Sequence, residues 1–204
     1  MRYKVARFKS LEVCLKELEP FIRHGQHLET GKPFKQIGGL RSREMLANWL
    51  LCIVLNWEAH SPRLSFTSDP QGGDGIIYDG ETASAWPTEH VLVPRTRAGA
   101  PQDLEQQILN AIARKRSKGG AAYASGKQLV VFLNVGGERP WVPNRIARQL
   151  PQPLHFSDIW VVGLQGVEAG EYVYNVTRLN LVEGNAPIWR VLTGRSYLAT
   201  VTGV

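Results

Sequence analysis

Two acidic residues lie where the chain could bring a pair of carboxylates together. Asp74 stands in the segment GGDGIIYDG and Glu89 in the segment WPTEHVLVP, fifteen residues further along. Both segments have strand character, and a hairpin between them would place the two side chains next to each other. Two converging carboxylates repel each other, and a hard divalent cation relieves that repulsion. Because oxygen ligands favour magnesium and manganese, the pair predicts a Mg²⁺ or Mn²⁺ site.

Each of these residues also has an ordinary structural interpretation. Asp74 is flanked by two glycines, and aspartate in such a setting is often a turn residue. Glu89 could lie on a solvent-facing side of its strand, paired with an arginine such as Arg95. The alternation of residue types does not decide between these possibilities, since both faces of that strand mix polar and apolar residues.

Positive charge is concentrated in one stretch of the chain. The protein has 24 lysine and arginine residues against 18 aspartate and glutamate residues, and seven basic but only two acidic residues fall between positions 95 and 127. Such a patch attracts polyanions, and counterion release favours phosphate binding at low salt. The alternative is a solvated helix end whose cations complement the helix dipole. The candidate nucleic-acid-binding residues are Arg114, Lys115, Arg116, Lys118 and Lys127.

Length and composition exclude several classes of protein. A chain of 204 residues with 43% hydrophobic residues can bury a core, so wholesale disorder is excluded. Its two cysteines, Cys14 and Cys52, form neither a zinc-ribbon pattern nor a disulfide scaffold. The longest apolar run, within residues 45–55, is shorter than the roughly 20 residues that a bilayer-spanning helix needs. We expect a cytoplasmic protein with no membrane partner, and homo-oligomerisation stays open.

Sequence patterning predicts an α/β fold with a mixed β-sheet and flanking helices. Ser42 is the expected cap of a helix ending near residue 57, and three short strands follow at residues 63–67, 75–78 and 86–93. A second helix is expected over residues 101–118, then a strand at 128–134 that is buried on both faces. A short helix at 143–150 and strands at 158–164, 172–179 and 188–192 complete the prediction. Residues 1–40 are interpreted as an N-terminal helix and loop extension, and residues 41–204 as a single domain.

The order of elements from residue 42 to residue 134 resembles that of the restriction-endonuclease-like PD-(D/E)XK nuclease superfamily. The core of that superfamily runs helix, three strands, helix, strand, and its acidic residues open the second strand and occupy the third, where Asp74 and Glu89 fall. Several of its branches add a glutamate in the first core helix, matched here by Glu44, and a glutamine in the second, for which Gln106 or Gln107 is available. The resemblance covers roughly half of the chain.

The resemblance implies a metal-dependent nuclease that hydrolyses DNA phosphodiester bonds. Mg²⁺ or Mn²⁺ would be held by Asp74, Glu89 and the carbonyl oxygen of His90. The superfamily pattern places a lysine two residues after the strand glutamate, where this sequence has Val91, and the neighbouring helix offers Lys115 or Lys118 in its place. The catalytic residues so implied are Asp74, Glu89, Lys115, Glu44 and Gln107.

Two other functions compete with this one. The first is a catalytically inactive nucleic-acid-binding domain of the same fold, which keeps the basic patch and lacks the lysine of the pattern. The second is a protein-interaction module built on exposed aromatic residues, for which the candidates are Trp86, Trp141, Trp160 and Trp189. DNA is the expected polymer, although the sequence does not separate DNA from RNA.

Overall fold

The computed structural model describes residues 39–94, 103–134, 140–194 and 198–204. The expected N-terminal extension, residues 1–40, lies outside this part of the chain apart from residues 39 and 40. Arg95, named as a partner of Glu89 in the alternative interpretation, also lies outside it. The helices are α1 (Ser42–Glu58), α2 (Leu104–Ser117), α3 (Gly120–Ala124) and α4 (Pro143–Arg148). The strands are β1 (Leu64–Thr67), β2 (Ile76–Asp79), β3 (Ser84–Val93), β4 (Gln128–Leu133), β5 (Asp158–Glu168), β6 (Glu171–Arg178), β7 (Ile188–Thr193) and β8 (Ala199–Gly203).

The eight strands form one mixed sheet in which they follow their order in the sequence. Strands β1, β2 and β3 pair antiparallel, β4 runs parallel to both β3 and β5, and β5 to β8 pair antiparallel again. The two parallel pairs need crossovers, which contain α2 and α3 between β3 and β4, and α4 between β4 and β5. The prediction of an α/β fold with a mixed sheet and flanking helices is therefore confirmed.

Helices cover both faces of the sheet. Trp49 and Leu50 of α1 belong to the same core cluster as Val130 of β4, whereas Ile108 of α2 belongs to a second cluster with Val131. Adjacent residues of a strand point to opposite faces, so the two clusters lie on opposite sides of the sheet. All six residues of β4 are consequently buried, as the unbroken apolar run predicted.

Some predicted element boundaries are wrong. Helix α1 is capped by Arg41, with Ser42 as its first helical residue. Helix α2 begins only at Leu104, because the side chain of Asp103 caps it by accepting the backbone N–H of Glu105 at 3.1 Å.

None of the helices in the described ranges is long and apolar enough to cross a bilayer.

The second strand also starts later than expected, which changes the position of Asp74. Strand β2 begins at Ile76, because Gly75 has φ of +133°, far from extended strand geometry. Asp74 therefore lies in the turn before the strand and does not open it. This turn joins β1 to β2 and brings Asp74 close to the middle of β3, as the side-chain contacts below show.

Candidate active site

Glu89 lies in β3 at the point where this strand changes partners. Residues 84–87 of β3 pair with β2, while residues 88–93 pair with β4. Strand alternation places Glu89 on the same face as Val93, which packs in the cluster with α2. The side chain is buried, with 6% of the residue exposed. The interpretation of Glu89 as a residue on a solvent face is therefore wrong.

Three donors from different parts of the chain surround the Glu89 carboxylate. Lys115 Nζ of α2 lies 3.0 Å from Oε2, and Lys127 Nζ, just before β4, lies 3.0 Å from Oε1. The hydroxyl of Tyr123 in α3 also donates a hydrogen bond to Oε2. Burial opposes ionisation of Glu89, but these donors outweigh it and hold the pKa of the carboxyl below its usual value. Glu89 is therefore ionised at neutral pH despite its burial.

Asp74 is fixed beside β3 by its own backbone and side chain. Its Oδ2 accepts the backbone N–H of His90 at 2.7 Å, and its carbonyl oxygen accepts the side-chain amide of Asn48 at 3.1 Å. The turn can approach α1 this closely because the next residue is glycine: a Cβ on Gly75 would lie 2.3 Å from Asn48 Nδ2. The sequence around Asp74 thus determines where its carboxylate lies.

Lys115 connects the two carboxylates. Its Nζ lies 3.0 Å from Glu89 Oε2 and 3.8 Å from Asp74 Oδ2. The oxygens of the two acidic side chains therefore approach one shared ammonium group. Lys118, the other candidate for the missing lysine of the superfamily pattern, instead lies over the Tyr123 ring, 5.0 Å from its centroid. Of these two lysines, Lys115 is the one that contacts the carboxylates.

A cleft of about 540 Å³ opens beside these residues and reaches the start of α1. Its walls are formed by Gly39, Arg41, Arg43, Glu44, Gly72, Gly73, Asp74, His90 and Lys115. Glu44, the predicted helix glutamate, thus shares this cleft with Asp74 and Lys115. Its Oε2 also accepts the backbone N–H of Arg41 at 2.7 Å, so it stabilises the first turn of α1. Burial raises the pKa of Glu44 above its usual value, and the charge of Asp74 adds to this.

His90 is buried with its ring turned toward α1. Its Nε2 lies 3.0 Å from Asn48 Oδ1, and Nδ1 has no partner among the residues that the structure describes. Asn48 donates its amide to Asp74, so its Oδ1 is an acceptor and the ring proton is assigned to Nε2. Burial, with the nearby charges of Lys115 and Arg43, lowers the pKa of His90 to about 3. The ring is therefore neutral at physiological pH.

Gln107 lies elsewhere. It lines a second cleft, of about 730 Å³, on the other side of α2. The other residues of that cleft are Pro94, Asn110, Ala113, Arg114, Arg116 and Ser117. The structure therefore does not bring Gln107 into the cleft with Asp74 and Glu44. The reason is the position of Gln107 around the helix axis. Ile108 and Lys115 lie on the face of α2 that packs against the sheet, and Gln107 lies to the side of that face.

The basic residues predicted to bind nucleic acid fall into three settings. Arg114 lines the second cleft and is exposed. Arg116 lines the same cleft, but its guanidinium donates to the carbonyl oxygens of Pro153 and Gln152, at 2.7 and 3.0 Å. Lys115 and Lys127 contact Glu89, and Lys118 is exposed at the end of α2. Arg114 and Lys118 are thus the two whose side chains face solvent without a carboxylate partner among the described residues.

Sequence reasoning missed Tyr123 and Asn48, and gave Lys127 a different role. Asn48 carried a usable signal, because it is the one polar residue within the apolar run of residues 45–55 and is completely buried. A buried amide requires hydrogen-bond partners, and here these are His90 and the Asp74 backbone. Tyr123 and Lys127 carried no comparable signal, since their contact with Glu89 depends on the pairing of β3 with β4.

The tryptophans assigned to an interaction surface are largely structural. Trp160 and Trp189 are buried, and their rings pack against each other with centroids 5.8 Å apart. Trp86 and Trp141 are half-buried. The interpretation of Trp160 and Trp189 as exposed aromatic residues is therefore wrong.

Asp74 and Glu89 are of the ligand type that a hard cation prefers, but they are few for a metal site. Asp74 and Glu89 offer carboxylate oxygens, and these already converge on one cation, the Lys115 ammonium. Within residues 39–94, 103–134, 140–194 and 198–204, however, no three His, Cys, Asp or Glu side chains group as a metal site would require. A metal at this position would therefore take two carboxylates and complete its shell with backbone or water oxygens.

The chain was also compared with known proteins. No protein-family model, no curated protein and no solved structure matches it.

Proposed function

We propose that this protein is a metal-dependent nuclease that hydrolyses DNA phosphodiester bonds. The observation that supports this most directly is the Lys115 ammonium, which lies 3.0 Å from Glu89 and 3.8 Å from Asp74 beside an open cleft. An aspartate, a glutamate and a lysine are the side chains that the PD-(D/E)XK pattern combines, here with the lysine supplied by α2. Apart from the short helix α3 before β4, the order α1, β1 to β3, α2, β4 is also the order of elements in that superfamily.

The proposal assigns the metal to Asp74, Glu89 and the carbonyl oxygen of His90. When bound, Mg²⁺ or Mn²⁺ would lower the pKa of a water molecule and neutralise charge on the scissile phosphate. Glu89 is suited to this role because its pKa is depressed, which keeps the carboxylate charged. Asp74 is suited because its hydrogen bond from the His90 backbone N–H fixes its orientation.

Lys115 has two roles in this proposal. Its side chain is 16% exposed, so the ammonium is held by protein contacts and yet reaches the cleft. A positioned ammonium can orient an attacking water, and it stabilises the negative charge that develops on a phosphate oxygen.

Arg114 and Lys118, on the exposed part of α2, would contact the phosphate backbone without reading bases.

Cleavage of supercoiled plasmid in Mg²⁺ or Mn²⁺ tests the proposal. We expect the wild type to cut, and Asp74→Asn and Glu89→Gln to lose cleavage at least about a hundredfold, as removal of a key electrostatic group typically does. Arg145→Gln is a matched control, because this arginine also pairs with a buried glutamate, Glu105, at 3.1 Å. It should cut like the wild type. If the two site variants also cut like the wild type, the assignment of Asp74 and Glu89 is wrong.

A catalytically inactive nucleic-acid-binding domain is the second candidate, and one observation favours it. The negative charge of Glu89 is already balanced by the ammonium groups of Lys115 and Lys127, and the Tyr123 hydroxyl donates a hydrogen bond to it. The buried carboxylate therefore does not need a metal to be stable. A wild-type protein that binds DNA with steep salt dependence, yet never cuts it in Mg²⁺ or Mn²⁺, would establish this alternative.

A further inference from the structure

We propose that the end of the 540 Å³ cleft nearest α1 is a phosphate-binding subsite formed by Arg41 and Arg43. As a site for a substrate phosphate it rests on the proposed function, but its binding properties can be measured without cleavage. Both arginines line the cleft together with Lys115, whereas Tyr123 and Lys127, the other partners of Glu89, do not line it.

Arg43 is a buried cation whose hydrogen-bonding capacity is only partly used. The residue is 8% exposed and lines the cleft, and its Nε has no acceptor among the described residues. Among the described residues, its salt bridge from NH2 to Glu44 Oε1 is long at 3.6 Å. An unsatisfied buried donor on a guanidinium is costly. Nε itself is enclosed, but Arg43 lines the cleft, so an anion there would supply the missing acceptor once the guanidinium turns toward it.

Arg41 adds a second guanidinium at the mouth of the same cleft. Its side chain is 48% exposed, and its Nε lies 3.8 Å from Glu44 Oε1, so it can turn toward a ligand at little cost. Arg41 is also the N-cap of α1, a helix of 17 residues whose dipole places positive potential at this end. The two arginines and the helix terminus therefore act on the same space.

The charge of the cleft favours an anion. Three cations line it, Arg41, Arg43 and Lys115, against the two carboxylates Glu44 and Asp74. A pair of guanidinium groups matches the tetrahedral array of phosphate oxygens better than single ammonium groups do. The ligand class that fits is therefore a phosphate, either internal to a nucleic-acid strand or at its end.

The test is calorimetric titration of the full-length protein in EDTA, with inorganic phosphate, the dinucleotide TpT and its 5′-phosphorylated form pTpT. We expect phosphate-bearing ligands to bind, and Arg41→Gln to weaken binding about tenfold, the lower range for a charge-assisted hydrogen bond. Arg43→Lys, which keeps the charge but removes Nε, should weaken it by a similar factor. Equal affinity for the two dinucleotides would assign the subsite to an internal phosphate, and preference for pTpT to a terminal one.

Arg145→Gln serves as the matched control and should bind like the wild type, since Arg145 is 61% exposed and paired with a buried glutamate outside the cleft. The subsite is refuted if the wild type binds none of the three ligands, or if Arg41→Gln binds them as tightly as Arg145→Gln does. Arg41 is exposed, so this variant keeps the test valid even if the buried Arg43→Lys variant fails to fold. Phosphate binding without DNA cleavage would leave the subsite standing and refute the nuclease.

Discussion

Replacing Lys115 by methionine should separate metal binding from catalysis, because the two should change in opposite directions. The ammonium of Lys115 lies between the carboxylates that are proposed to hold the metal. A divalent cation must compete with it for the same negative charge. Methionine keeps most of the aliphatic side chain and removes that competing charge. We therefore expect Lys115→Met to bind Mn²⁺ more tightly than the wild type while it loses cleavage activity.

The size of the effect follows from the contacts of Lys115. Its hydrogen bond with Glu89 is 3.0 Å long, and the two side chains are only 16% and 9% exposed. A hydrogen bond between such charged groups contributes about 1.5–3 kcal/mol, which corresponds to a factor of about ten to a hundred in affinity. Lys127 and Tyr123 still hold Glu89 in both proteins, so the difference reports on Lys115 alone. We predict Mn²⁺ binding about ten to a hundred times tighter in Lys115→Met.

Binding of Mn²⁺ measured by electron paramagnetic resonance, together with a plasmid-cleavage assay, gives both readouts on one sample. Lys118→Met is the control, because it also removes an ammonium group from the end of α2. The Lys118 ammonium contacts the Tyr123 ring and does not contact the carboxylates. Its Mn²⁺ affinity should stay within about twofold of the wild type. Weaker Mn²⁺ binding by Lys115→Met, or undiminished cleavage, would refute the role given to Lys115.

Three further outcomes follow from the same contacts. Because the folded-state pKa of Glu89 lies below its ordinary value of 4.5, this residue stabilises the fold above that pH, and the contribution disappears as the pH falls below it. In urea unfolding, the free energy of unfolding of Glu89→Gln should therefore fall less on acidification than that of the wild type. The same pH dependence in both proteins would contradict the ionised, hydrogen-bonded state of this carboxylate. Gly75→Ala should destabilise the protein by about 1–3 kcal/mol in the same assay, since φ is +133° and the new Cβ would meet Asn48 Nδ2; a neutral effect would mean that the turn is not held as described. Arg114→Gln should reduce the slope of log K against log salt for duplex DNA by about one, whereas Arg145→Gln should not; equal slopes would remove Arg114 from the interface.

Much of the scaffold could be predicted from the sequence because the signals are local. The apolar run QLVVFL indicated a strand buried on both faces, and β4 is such a strand. The hairpin expected between the segments of Asp74 and Glu89 is present, since β2 and β3 pair. The choice of Lys115 was also within reach, because it continues the apolar stripe of α2 that faces the sheet, four residues after Ala111.

The remaining contacts of Glu89 were not predictable, because they depend on the register of strands that are distant in sequence. The parallel pairing of β3 with β4 places Thr88 opposite Gln128, which brings Lys127 next to Glu89 from 38 residues away. No pattern in a single sequence specifies that register. Gly75 shows the same limit at short range, since its positive φ delays the start of β2 by a residue and moves Asp74 into the turn.

The most direct test of the central claim is the number of Mn²⁺ ions bound by the wild type, Asp74→Asn and Glu89→Gln proteins. If the two carboxylates share a cation, the wild type binds one ion at this site, and either substitution weakens its binding by at least about tenfold. Mn²⁺ binding that is absent in the wild type, or unchanged in both variants, would contradict a metal centre between Asp74 and Glu89.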